Sequence, residues 1–493
     1  MIYVNLQRRY NTILIYQIYL RSFADSNGDG IGDLQGALKN LDYLKNLGVN
    51  CIWLMPVLLS SSYHGYTVSD YYKINPIYGS LEDLDRLIEK AHRKNIKVIL
   101  DLPITHTSVN HKWFKGFLHD KKPYKNWYLE MKNSKWSHAK RPWDGQSIWG
   151  KFNNKWFYAL FGPTSPTLNY NNPLLRKEIE KITLFWLNKN VDGFRFDAAK
   201  HIFDFSTTMG KFNYQHEKSL LFWKSLLQRL SSTKKNPLFI GEVWDEQKII
   251  DRYSTVFGAG FNFPLSYAIK ESVKQLNPDR LVQSINSTLR NKGYRPVNFL
   301  NNHDMSRTPT YMRSSKRKSL FAYSILLTLP GIPCIYYGEE LGMKGKYYKD
   351  YTEEVLEPFP WYQGGTGPRQ TEWKALCKNK PYSGISLEYQ LKKADSYFSE
   401  FKNIMAFRNK RKWIDTASVT YIKNEKGLLV VMLEKNNHSI GLYYNYSTDK
   451  KKVSTKSDTA IEICGTIKSG SHSVEIFPLS TVAIEKRADS ISP

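Results

Sequence analysis

Four short stretches of the chain gather side chains that can do chemistry. "DLPITH" carries Asp101 and His106, "GFRFDAAKH" carries Arg195, Asp197, Lys200 and His201, "GEVWD" carries Glu242, and "NNHD" carries His303 and Asp304. Each has an ordinary structural reading when taken alone: Arg195 and Asp197 as an ion pair, His106 or His303 as a loop cap. Carboxylates gathered with an arginine and histidines are costly to assemble unless substrate meets them, because like charges held close raise one another's pKa. A fifth stretch, "DSNGDGIGD" over 25–33, sets Asp25, Asn27 and Asp29 at positions 1, 3 and 5 of a calcium loop, Gly30 at 6 and Asp33 at 9. Alternate side chains of such a loop point oxygens at one hard cation, and Gly30 supplies the positive φ of the turn. Position 12 is Gly36, so the bidentate Glu of a sensor loop is missing. The reading is a bound Ca²⁺, weighed against a plain Asx/Gly turn.

Groups of this kind need a rigid frame. Strand-like runs lie at 13–20 ("ILIYQIYL"), 50–55, 97–102 ("KVILDL"), 191–196, 238–243, 259–263, 297–302 ("VNFLNN") and 332–338. Helical patterns such as "LEDLDRLIEKAHRKN" and "PLLRKEIEKITLFWLNKN" lie between them. Eight such units predict a (β/α)₈ barrel, and the four chemical clusters then fall at the C-terminal ends of strands, where a barrel carries its reactive groups. About 65 residues separate the third strand from the helix near Pro173, too many for an ordinary connection, and they read as an inserted subdomain. After Arg411 the pattern turns to short alternating strands, an all-β sandwich. The expected domains are a barrel of 1–106 and 172–412, an insert of 107–171 and a sandwich of 413–493.

The bulk composition excludes little by itself. A chain of 493 residues with 13 Trp, 33 Tyr and 24 Phe is globular and offers many flat faces on which sugars or bases stack. The formal charge of +26 suits a polyanion, yet the lysines are scattered with no dense stripe, so a solvated basic surface is expected and no nucleic-acid partner. Cys51, Cys334, Cys377 and Cys464 are widely spaced and read as free thiols. Arg8 and Arg9 precede an apolar run as in a leader, but Gln17 and three Tyr interrupt it, and no small-residue cleavage site follows. No run reaches ~18 apolar residues, so no membrane span is expected. The chain is expected to be a cytoplasmic monomer.

The ordered blocks "DLPITH", "GFRFDAAKH", "GEVWD" and "FLNNHD", with "SYHGYTVSDYYKINPIYG" upstream, resemble the α-amylase family of glycoside hydrolases and transglycosylases, through nearly the whole chain. The resemblance implies Asp197 as nucleophile, Glu242 as general acid/base and Asp304 as transition-state stabiliser. It implies that His64, Tyr66, His106, Arg195 and His303 surround the reacting sugar, with Lys200 and His201 on the leaving-group side. Cleavage of a glycosidic bond with retention needs a protonated carboxyl to feed the leaving oxygen while an ionised one attacks the anomeric carbon from the other face. Glu242 is therefore expected to have a raised pKa, and Asp197, beside Arg195, a lowered one. In relatives resembling oligo-1,6-glucosidases and intermediary α-amylases, residues matching Asp25, Asn27, Asp29, the Ile31 carbonyl and Asp33 hold a structural Ca²⁺.

Three positions depart from the family pattern. Thr105 stands where many α-amylases carry an Asn that binds a second calcium, Thr67 where "GYD" is common in exo-acting α-glucosidases, and Thr167 where an Asp precedes Leu-Asn. The absence of "GYD" argues for a cleft that longer chains can cross. The resulting expectation is a retaining hydrolase of starch- or glycogen-type α-glucans, acting mainly on α-1,4 bonds. A 4-α-glucanotransferase or α-glucosidase with the same triad is the alternative, and a non-catalytic family member is the different class.

Overall fold

The computed structural model describes residues 12–232, 237–290, 292–349, 352–455 and 459–485. Arg8 and Arg9 lie outside them. Eight strands form one closed barrel: β1 Ile15–Ile18, β2 Cys51–Leu54, β3 Lys97–Leu102, β4 Gly193–Phe196, β5 Leu238–Gly241, β6 Ala259–Phe261, β7 Arg295–Asn298 and β8 Ile332–Tyr336. Each strand neighbours the next in sequence, and β1 pairs with β8. Almost every strand residue is buried, the pattern of parallel strands covered on both faces. The chain divides into two compact units, one of residues 53–261 and the other of the residues on either side.

In the 53–261 unit, helices start where side chains cap them. Ser80 and Asp83 form a reciprocal capping box for Leu81–Arg93, while Asn172 accepts from the N–H groups of Leu174 and Leu175, with Pro173 at the first helical position. The latter helix buries Leu175, Ile179, Ile182 and Trp186 along one stripe. Register aligns Asp101 on β3 with Arg195 on β4, and Arg195 with Ile240 on β5. The insert between β3 and β4 holds the helix Lys112–Leu118 and the hairpin Trp149–Phe152 with Lys155–Tyr158. Ile148, Trp149, Tyr158 and Leu160 make its core together with Phe205, and bridges His106–Thr167 and Tyr128–Leu168 close its base.

The other unit carries β1, β7, β8 and the C-terminal strands. A five-stranded antiparallel sheet and a three-stranded one share a core of Leu428, Val430, Val474, Ile476, Val482 and Ile484, the expected sandwich. Most strands are shorter than expected, and two of the differences bear on the site. The first strand stops at Ile18, and the seventh spans 295–298, not 297–302. Asn301 and Asn302 hydrogen-bond locally, to the Thr308 hydroxyl and from the Asp304 N–H, which draws the chain out of the sheet and leaves His303 and Asp304 on a loop. Among the described residues no helix is long and apolar enough to cross a membrane.

Just past β8, Glu340 is fully buried and accepts from the hydroxyls of Tyr16 (2.5 Å) and Tyr43 (2.6 Å). Burial pushes its carboxyl up to about 7. A folded-state pKa raised above the unfolded one gives stability that is present below the ordinary Glu range and lost as pH rises through about 7. The melting temperature of the wild-type chain should therefore fall by a few degrees relative to Glu340→Gln between pH 5 and pH 8. Parallel melting curves across that range would contradict a neutral Glu340.

Candidate active site

The Arg195 guanidinium is fully buried at the strand end of β4 and joins three carboxylates. Its Nη1 donates to Asp101 at 2.8 Å and to Asp197 at 2.7 Å, and its Nη2 forms an ion pair with Glu242 at 2.7 Å. Asp101 also accepts from the Tyr66 hydroxyl (3.0 Å) and the Trp53 indole N–H (3.2 Å). Its side chain is 0% exposed, whereas those of Asp197 and Glu242 are 13% and 12% exposed, so the latter two reach open space and Asp101 does not. Asp197 and Glu242 are thus held on the two terminal nitrogens of one guanidinium, which places the two carboxylates side by side.

Charge decides how this cluster titrates. Burial is the largest influence on Glu242 and raises its pKa; Arg195 pulls it back, and the negative charge of Asp197 pushes it further up. Burial likewise pushes Asp101 up to about 7 against the pull of Arg195. One guanidinium cannot balance three anions in a dry site, so the cluster keeps a proton near neutrality. Glu242 Oε2 also accepts from the Ala198 N–H at 3.1 Å, and the Ala199 N–H donates to the Glu242 carbonyl at 2.9 Å. These two bonds hold Ala198 at φ 46°, a left-handed conformation that costs a non-glycine residue about 1–2 kcal/mol.

Around this centre, Tyr66 places its ring under the Arg195 guanidinium at 5.7 Å, and the His64 ring stacks on Tyr66 at 5.8 Å. Burial pushes both His64 and His106 down to about 4, so both are neutral imidazoles at pH 7. Lys200 is pinned by the Trp244 carbonyl (2.7 Å) and by Asp245 (2.8 Å), and His201 Nδ1 by Asp204 (2.8 Å). In the other unit, His303 Nδ1 lies 2.9 Å from the buried Gln17 amide, and its Nε2 lies 3.2 Å from Asp304. Asp304 remains 39% exposed on the loop after β7.

The alpha-amylase catalytic-domain family matches residues 17–417 of this chain. The chain belongs to the α-amylase family. It is 42% identical over 437 residues to a 4-alpha-glucanotransferase of Thermotoga maritima, covering 88% of this chain and 96% of that one. It is 39% identical to Alpha-amylase 3 of Dictyoglomus thermophilum, covering 88% and 85%. Among solved structures, an alpha-amylase from H. orenii superposes with a TM-score of 0.87 at 34% identity, over 97% of this chain and all of that one. This α-amylase-family chain is thus a carbohydrate-active enzyme of the α-glucan-acting kind.

Several residues of the family site had no role assigned from sequence. Asp101 was visible as a strand-end acid, but its service as the buried counter-ion of Arg195 needs the β3–β4 register. Gln17 and Trp53 sit inside apolar strands, and Ala198 carries no mark of a left-handed backbone.

In the 25–33 loop, hard oxygens of the type calcium takes are present. Asp25 accepts from the N–H groups of Asn27, Gly28 and Gly30, Asp29 from that of Ile31, and Asp33 from those of Ser26 and Gly36. Among the described residues no three acidic, His or Cys side chains converge as a metal cage, and these Asx-turn bonds carry the loop's shape.

A carboxyl with a raised pKa must keep its proton to act as an acid, so turnover of maltooligosaccharides should fall as pH rises through the Glu242 pKa. Glu242→Gln should lower kcat by ~10²–10⁴ and abolish that alkaline limb. A variant that keeps the limb would assign the titration to another group.

Proposed function

We propose that the enzyme is a retaining α-glucan hydrolase that cleaves mainly α-1,4 bonds of starch- or glycogen-type chains. The observation that carries this reading is the single guanidinium, Arg195, holding both Asp197 and Glu242. Asp197 attacks the anomeric carbon while Glu242 gives its proton to the leaving oxygen, which departs as the free hydroxyl of the cleaved glucan. Glu242, now ionised, takes a proton from water, and the resulting attack breaks the glycosyl–Asp197 ester with net retention. Arg195 donates to Asp197 at 2.7 Å and so holds the attacking carboxylate in a fixed direction. Asp304 stabilises the flattened ring through the sugar hydroxyls, with His106 and His303 donating further bonds. Tyr66, stacked against His64, is the platform for the reacting sugar. Lys200 and His201 face the leaving group, held there by Asp245 and Asp204.

Transfer to a second sugar in place of water is the alternative, and two observations favour it. One is the 42% identity to a protein named 4-alpha-glucanotransferase. The other is the pair of half-exposed indoles beside the leaving-group residues: Trp244, 43% exposed, and Trp143, 47% exposed with its ring 5.5 Å from that of His201. Flat apolar faces there bind an acceptor sugar and displace water.

We also propose that the 25–33 loop binds Ca²⁺ through Asp25, Asn27, Asp29, the Ile31 carbonyl and Asp33, as a tether of the loop with no part in bond breaking. The support is the oxygen donor set and its spacing.

A time course on maltotriose, followed by chromatography and by NMR of the anomeric proton, separates the two activities. Glucose and maltose alone, released with the α configuration, mark hydrolysis; maltotetraose and longer products mark transfer. Asp197→Ala should abolish either activity with the melting temperature nearly unchanged, and retained turnover would remove Asp197 from the role. For the loop, removal of calcium should lower the melting temperature, since a ligand at a hundredfold excess over Kd contributes about 2.7 kcal/mol. Calcium, and not magnesium, should restore it; an unchanged melt, with no calcium found by metal analysis, would leave a plain turn.

A further inference from the structure

A cavity of about 950 Å³ opens at the N-terminal ends of β7 and β8, where Arg295, Pro330 and Gly331 line it together with Trp413 and Asp415. The catalytic residues of the proposed mechanism follow the opposite, C-terminal ends of strands, so nothing in that mechanism uses this space. Five cations line it, Arg290, Lys292, Arg295, Lys412 and Lys435, against one carboxylate. That carboxylate is already committed: Asp415 accepts from Arg408 at 2.5 Å and from the Ile13 N–H at 3.2 Å, and it is also paired with Arg295. The cavity therefore keeps a net positive charge.

Two of the cations are more than surface basicity. Arg295 is only 8% exposed, and among the described residues neither its buried Nε nor that of Arg290 has a hydrogen-bond partner. A buried guanidinium N–H without an acceptor leaves part of its group's charge uncompensated, so an anion at the cavity wall is favoured beside both arginines. Guanidinium forks match the oxygens of a phosphate, and ammonium groups such as that of Lys435, which donates to the Thr416 hydroxyl, add point charge.

We propose that this cavity is a binding site for a phosphate group, free or esterified to a sugar. A neutral glucan is a poorer fit, because its hydroxyls need acceptors as well as donors and the one acid present is spent on arginines.

Isothermal titration calorimetry of the full chain with inorganic phosphate and with glucose 6-phosphate, in chloride buffer of matched ionic strength, tests this. Saturable one-site binding is expected, weakened at least tenfold by Arg290→Gln and by Lys435→Gln, with maltooligosaccharide turnover unchanged in both. Tighter binding of the ester assigns the sugar phosphate as ligand, and equal binding assigns the free anion. If Arg290→Gln fails to fold, Lys435→Gln alone carries the comparison, because Lys435 is the partly exposed last residue of its strand and lines the cavity. Absence of saturable binding, or binding that neither substitution weakens, would overturn the proposal.

Discussion

A cation buried to zero exposure is the constraint on which the site rests. Removing the Arg195 guanidinium from water costs several kcal/mol, and only close, well-oriented counter-charges offset that cost. Asp101 supplies one of them from the neighbouring strand, and Asp197 and Glu242 supply the others. The arrangement requires β4 and β5 to approach closely just before the arginine. Gly193 permits this, since a Cβ there would fall 1.9 Å from the Leu238 carbonyl oxygen. With the strands fixed, the arginine has no freedom to leave its partners, and the two half-open carboxylates inherit its rigidity. Donors preorganised in this way need no rearrangement when charge develops on the substrate.

The same economy of motion explains the Ala198 backbone. A left-handed alanine persists only when its surroundings over-determine it, and here the N–H groups of Ala198 and Ala199 both bond to Glu242. The residue that follows Asp197 is thereby tied to Glu242, although the two acids follow different strands. Burial raises Glu242, Arg195 lowers it, and the charge of Asp197 raises it again. The balance favours a protonated Glu242, the state in which a carboxyl can act as an acid.

Legibility in the sequence followed the physical signals available. "KVILDL" is a strand over the full 97–102 because its run is apolar, β-branched and ended by a turn, and the barrel follows from eight such runs. "VNFLNN" predicts a strand that starts two residues late and runs four too far, because asparagine in a loop looks like asparagine at a strand end until its hydrogen bonds are seen. Arg195, Asp197 and Glu242 were legible as types at strand ends. What joined them, and gave the strand-end acid Asp101 its role as counter-ion, was register, which no local pattern encodes; Gln17 and Trp53, an amide and an indole inside apolar runs, stayed silent. The insert read as a long connection rich in aromatic residues, and its core of Trp149, Tyr158 and Phe205 shows why, since a small subdomain gains most of its buried area from rings.

The three threonine departures acquire a common meaning once their hydroxyls are placed. Thr67 is buried, within 3.3 Å of the Ser60 hydroxyl and 3.2 Å of the Ser61 hydroxyl; Thr105 Oγ1 lies 2.9 Å from His106 Nδ1; and Thr167 accepts from the Leu160 N–H at 3.0 Å. Each replaces an acid or amide of the family pattern with a short neutral group whose hydrogen bonding is directed at neighbours in its own fold. A carboxylate at 67 would project a charge that grips the end of a sugar chain; the Thr67 hydroxyl instead belongs to a small network of serines. Thr105 serves His106 in the same way and fixes the ring of a neutral imidazole, where an amide would have offered an oxygen to a cation. The insert base is therefore held by hydroxyl and backbone bonds, with Thr167 bridged to His106 and accepting from the Leu160 N–H.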